Sequence, residues 1–222
     1  MTLKNTWWKI LGGILLVYVS IMGLAGEVPR QPILNETIRN VYFHVPMWFS
    51  MMTLMTISVW RSIQYLRTGD IIRDQQAITF ASTAFYLGIL GFITGAIWGK
   101  FTWGSALPAD PKLIAVEVGL LIYAAYFILR GSFEDEQKKA RLSAVYNIFA
   151  FAAFMPLVWI LPRVTDSLHP GNGGNPAFGK YDMDSQMRMV FYPAVIGWVL
   201  VGIWVASLKA RIIKLEYNKL NQ

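Results

Sequence analysis

The sequence contains no cysteine, which excludes disulfides, thiolate metal sites and thiol redox chemistry within the chain. Charge is scarce: Asp, Glu, Lys and Arg make up 15% of the residues, against about 25% in an ordinary soluble domain. Histidine occurs only twice, at His44 and His169. Neither HExxH nor GxSxG is present, and Glu117 is the one carboxylate that falls inside an apolar run. An enzyme embedded in a membrane would need clustered acid, base or nucleophile groups, so no enzymatic activity is expected. No internal repeat, low-complexity tract or separate soluble domain is evident.

Apolar sequence is abundant. Hydrophobic residues make up 55% of the chain and the mean hydropathy is +0.42. The stretches 41–60, 77–98, 142–161 and 189–208 each run without a charged residue. A membrane-spanning helix needs roughly 20 mainly apolar residues. Shorter apolar runs near the start and at 113–129 complete the set. The expected fold is an all-α membrane protein, one polytopic domain over residues 1–222. Its six transmembrane helices are expected near 7–26, 41–60, 77–98, 113–129, 142–161 and 189–208. The first run also resembles a signal peptide, with small residues at Gly23, Ala25 and Gly26. We expect it to stay as helix 1; cleavage would leave five helices with the same sidedness.

The net charge of +7 reads as topology and not as nucleic-acid binding. With the N-terminus inside, thirteen of the 20 Lys and Arg fall on the inner side, in keeping with the positive-inside rule. Both termini are then cytoplasmic, and both histidines lie on the outer, periplasmic face. The inner segments 61–76 and 130–141 read as solvated polar loops. The tail from Lys209 reads as a basic amphipathic segment on the inner surface. Gly88, Gly91 and Gly95 share one helix face, which suits close packing.

Between two apolar runs lies Trp98–Leu113, WGKFTWGSALPADPKL. It reads as an outer loop with three aromatics (Trp98, Phe101, Trp103), flexible glycines, two prolines and few charges. One reading is an aromatic belt at the interface; the other is a platform for a flat apolar ligand. Asp110 and Lys112 are placed to cap helix 4. His44, near the outer end of helix 2, is either an interfacial anchor or a ligand for iron. His169 is expected on a short helix with Arg163 and Asp166, and its simpler reading is an exposed loop histidine. Haem would need what these residues offer: axial ligands from His44 and His169, a face from Trp98, Phe101 and Trp103, and cations for two propionates from Lys100, Lys112 and Arg163.

Tyr42-Phe43-His44-Val45-Pro46, Trp98-Gly99-Lys100 with Trp103-Gly104, Asp110 with Lys112-Leu113, and Leu168-His169 together resemble the heme exporter protein C (CcmC) family of cytochrome c maturation, over most of the chain. The resemblance implies that His44 and His169 ligate haem iron and that Trp98, Trp103 and Asp110 belong to the haem platform. It implies a multi-pass protein of the bacterial inner membrane that binds haem b transiently. It also implies a periplasmic haem chaperone (CcmE-type) as recipient, with ATP-binding-cassette subunits and a small single-helix subunit as partners. One departure stands out: Ala106, Leu107 and Ala109 occupy positions where the family has further tryptophans. Two alternatives stay open at this point, a transporter of haem or another solute and a structural subunit of a respiratory complex.

Overall fold

The computed structural model describes residues 6–29, 33–169 and 183–220, apart from the side chains at 162, 163, 217, 218 and 220. Among these residues seven α-helices follow in order: α1 (Trp7–Ala25), α2 (Val41–Thr68), α3 (Ile71–Trp103), α4 (Pro111–Gly131), α5 (Glu136–Met155), α6 (Leu161–Val164) and α7 (Ser185–Leu220). A 3-10 helix, Asn35–Asn40, leads into α2. A π-turn at Pro156–Ile160 continues α5. No strand occurs among the described residues.

Among the described residues five segments are long and apolar enough to cross a membrane: α1, α3, α4, Glu136–Ile160 and Ser185–Glu216. The sixth expected span lies in α2, which has the length, 28 residues or about 42 Å, but is less apolar. Its position accounts for that. α2 packs against α3, α5 and α7 and buries Ser50, Ser58 and Ser62. A helix enclosed by others can carry polar groups because their partners are protein and not lipid. Ser58 donates to the Ala77 carbonyl at 2.7 Å, and the Asn147 amide donates to Ser58 and Ser62 at 2.8 and 2.9 Å. Around them Met51, Leu54, Met55, Ala81, Ala84, Tyr123 and Phe154 form the main apolar core.

Several expected boundaries shift. The expected loop 61–76 is almost wholly helical: Gly69 (φ 69°) ends α2 and Asp70 caps α3, leaving a two-residue turn. Asp74 is buried there and forms a two-pronged ion pair with Arg130 at 2.8 and 2.5 Å, tying α3 to α4. The expected loop 98–113 also shortens, because α3 continues through Trp98, Phe101 and Trp103 until Gly104 (φ 78°) stops it. Those aromatics stand on the last turns of a helix and not in a loop. The expected short helix through Arg163, Asp166 and His169 ends earlier, at Val164, where Thr165 turns to extended backbone. The tail from Lys209 continues α7 as far as Leu220 and is not a separate surface segment.

α1 sits at the edge, against α7. Gly12 and Gly197 allow the approach, since a Cβ on either would stand 3.1 Å from a leucine Cβ of the other helix. Arg39 closes the C-terminus of α1, donating to the Gly26 and Gly23 carbonyls at 2.5 and 3.2 Å, where a cation suits the helix dipole.

Candidate functional site

The α2–α3 hairpin builds the first half of the site. One face of α3 carries Gly88, Gly91 and Gly95, and the facing stripe of α2 carries Met51, Trp48 and His44. A Cβ on Gly95 would lie 2.6 Å from His44 Cε1, and one on Gly91 would lie 2.9 Å from Trp48 Cε2. The expected small-residue packing is therefore present, and what it admits is the histidine ring. Thr94 Oγ1 lies 3.1 Å from His44 Nδ1. Trp48 and Trp98 meet the imidazole edge-on, with ring centroids 6.2 and 5.9 Å away. Trp98 is fixed in turn, its indole N–H donating to Thr37 Oγ1 at 3.0 Å.

The second half is a loop folded onto a helix start. Asp110 is the N-cap of α4, accepting from the Lys112 N–H at 3.0 Å and the Leu113 N–H at 3.4 Å, with Pro111 at the first helical position, where its missing N–H costs nothing. The same carboxylate reaches the segment that follows α6. It accepts from the Ser167 hydroxyl at 3.0 Å and the Leu168 N–H at 2.7 Å, and His169 Nδ1 lies 3.2 Å away. Only 2% of Asp110 is exposed. Burial works to raise its pKa, but the Leu168 N–H, the His169 ring, the Ser167 hydroxyl and the Lys112 N–H outweigh that and hold it below the usual carboxylate value. His169 is pushed down to about 4, first by burial and then by the Lys112 charge; the Asp110 carboxylate offsets only part of this. The imidazole is thus neutral at physiological pH, the form that ligates metal. Trp103 packs edge-on against it at 4.8 Å.

The two halves meet at one end of the bundle. Trp98 and Trp103 lie about 7.5 Å apart along the α3 axis; the first touches His44 and the second touches His169. His169 and Lys112 both come within electrostatic reach of His44. Phe101 is 75% exposed beside them. Lys100 is exposed and donates to the Gly104 carbonyl at 3.0 Å. The Arg163 side chain lies outside the described residues. Asp110, grouped with the platform in the sequence, is enclosed and reaches the site through His169.

Sequence reasoning misses Thr94 and Ser167. Thr94 lies between Gly91 and Gly95 on a face already marked by small residues, but its partner appears only once the register of α2 against α3 is known. Ser167 carries no local signal, because its partner is 57 residues away.

Both histidines present the same chemistry. Nδ1 lies within hydrogen-bond distance of a side-chain oxygen, 3.1 Å from Thr94 Oγ1 and 3.2 Å from Asp110 Oδ1; a proton on that nitrogen leaves the lone pair on Nε2. Histidines that bind metals are held in this way, the second ring nitrogen donating to a carboxylate, carbonyl or other oxygen. Among the described residues no group of three or more His, Cys, Asp or Glu could hold a metal ion.

The sequence profile described as CcmC, heme exporter protein C, matches residues 1–221. The chain is 24% identical to a heme exporter protein C of Paracoccus denitrificans over 182 residues, 80% of this chain and 73% of the other. It is 27% identical to that of Bradyrhizobium diazoefficiens, over 84% of this chain and 71% of the other. The Escherichia coli K12 protein of that description is 18% identical, over 96% of this chain and 84% of its own length.

Proposed function

Because the chain belongs to the heme exporter protein C family, we propose that it holds haem at the periplasmic face of the inner membrane and delivers it for cytochrome c maturation. In this reading the chain is a single polytopic domain with six spans, α2 included, and both termini in the cytoplasm. Haem b is its cargo, held transiently. The observation that carries the reading is the paired seating of His44 and His169. Each ring has Nδ1 committed and a tryptophan at its edge, and both tryptophans come from the last turns of one helix.

The residues divide the work. His44 and His169 supply nitrogen ligands to the two axial positions of the iron, the porphyrin filling the other four. Asp110 orients His169. Trp98 and Trp103 wall the site, and Phe101 offers exposed aromatic surface for the macrocycle. Lys100, Lys112 and Arg163 are the cations for the propionates; Lys100 can swing from its carbonyl at little cost, because it is exposed. Where the family has further tryptophans, Ala106, Leu107 and Ala109 give an aliphatic contact. The recipient is a periplasmic haem chaperone of the CcmE type. ATP-binding-cassette subunits and a small single-helix subunit are the membrane partners.

The test is an absorption spectrum of the detergent-purified chain, ferric and reduced. A Soret band is expected, altered by His44→Ala or His169→Ala and largely lost with both. Full, spectrally unchanged haem in the double variant would defeat the ligand assignment. Obligatory haem flux into vesicles containing the purified chain would favour transport over handling.

A further inference from the structure

The two histidines are held by acceptors of different kinds. Thr94 Oγ1 lies 2.9 and 3.0 Å from the Leu90 and Gly91 carbonyls as well as 3.1 Å from His44 Nδ1. A hydroxyl has one proton to give. Carbonyls only accept, so that proton goes to them and a lone pair of Oγ1 faces the imidazole. His44 then carries its proton on Nδ1, where the neutral Thr94 Oγ1 and Gly91 carbonyl receive it, and keeps the Nε2 lone pair for a metal. At His169 the acceptor is the Asp110 carboxylate. A carboxylate partner pulls on the ring proton and makes the opposite nitrogen a stronger donor; a neutral hydroxyl, whose hydrogen bonds are about half as strong, does less.

We infer that Thr94 is a positioning residue for His44, and that its neutral partner makes the His44–iron bond the weaker of the two. This rests on the reading that both histidines bind haem. Release then has an order. The bond from iron to His44 Nε2 breaks first, and its electron pair stays on the nitrogen. An incoming nitrogen donor from the recipient takes the vacated position, and His169 holds the iron until that bond has formed. No electron is transferred and the iron keeps its oxidation state. Rigid helix packing keeps the freed ring in place: Gly95 seats it and Trp48 and Trp98 flank it, so the seat is ready for the next cargo.

The experiment uses the full-length, haem-loaded protein in detergent with apomyoglobin as the recipient, transfer being followed at the Soret band. Thr94→Val removes the hydroxyl at constant shape; Thr94→Ser keeps it. Loss of such an outer partner typically costs 10–100-fold in metal affinity. Thr94→Val is expected to transfer haem at least about 10-fold faster and to show a ferric high-spin band that added free imidazole removes. Thr94→Ser is expected to behave as wild type, a rescue that a purely steric role for the threonine would not give. His169→Ala is expected to retain less haem than His44→Ala. Wild-type kinetics and spin state in Thr94→Val, or greater haem loss from His44→Ala than from His169→Ala, would overturn the proposal. Unchanged spectra in both histidine variants would instead overturn the ligand reading beneath it.

Discussion

His44 and His169 lie at the same end of the molecule and are seated by opposite means. His44 stands on a helix, pressed into a hollow left by Gly95 and held by a neutral threonine. His169 stands on a loop with no regular structure, held by one buried carboxylate that also starts α4 and ties down Ser167 and Leu168. The first seat is a product of helix packing, the second of electrostatics and hydrogen bonds. The contrast teaches that a loop can hold a histidine in place, as a helix does, when one charged group collects its polar contacts. It also predicts that the two seats fail under different insults.

The largest effect is expected from Asp110→Ala. It removes the cap of α4, which is worth about 1 kcal/mol, and leaves several enclosed donors without an acceptor at about 1–3 kcal/mol each. The loop seat should be lost, at about 3–5 kcal/mol. In hydrogen exchange the Leu168 amide should open, while α2 and α3 near His44 stay protected. Equal loosening on both sides would show that the seats are one unit.

Acid should act on the same seat. His169 has a folded pKa of about 4, below its ordinary 6.5, so the folded loop binds fewer protons than the free one. Its closure is at full strength above about pH 6.5 and weakens as pH falls toward 4, by about 3 kcal/mol in all. Asp110, also held down, adds to the loss at still lower pH. In haem-free protein, Leu168 exchange corrected for intrinsic rate should rise across that window. A flat profile would mean that the ring is not enclosed.

The two seats also differ in how far they can be read from sequence. The glycine face at 88, 91 and 95 is plain, and so is Asp110 before Pro111 as a helix start. The partner of the glycine face is hidden because the polar segment 61–76 reads as a loop. It is helix, broken only at Gly69-Asp70, and the turn sets the register. His44 and Gly95 each lie 25 residues from it, Trp48 and Gly91 each 21, Met51 and Gly88 each 18. That segment is polar because it carries its own contacts, Asp74 with Arg130 above all. The reach of Asp110 to residues 167–169 has no comparable signature, since nothing local links positions nearly 60 apart. Trp98 and Trp103 look like loop aromatics in a string with Gly99 and Gly104, yet only Gly104 takes the left-handed conformation that ends the helix.

Gly95→Ala should damage the other seat. The added methyl would stand 2.6 Å from the His44 ring, and a flat ring between two tryptophans has little room to yield. Overpacking of this kind costs about 1–3 kcal/mol. The altered spectrum should resemble that of His44→Ala, with Leu168 exchange unchanged. The mirror-image outcomes of Gly95→Ala and Asp110→Ala are the sharpest check on the contrast.

The smallest effect tests where the helix-built seat ends. Trp98 touches His44 by its ring and Thr37 by its indole N–H, and Thr37 Oγ1 in turn donates to the Leu34 carbonyl at 2.5 Å. Trp98→Phe keeps an aromatic edge at the histidine and deletes the N–H. The loss should be about 1 kcal/mol, one hydrogen bond with its acceptor left near the surface. Exchange at the Thr37 amide, which donates to Leu34 at 2.9 Å, should rise several-fold, while haem content and spin state stay as in wild type. If the spectrum moves as well, the 3-10 helix at Asn35–Asn40 is a third wall of the His44 seat, and that seat extends beyond the α2–α3 pair into the segment that follows α1.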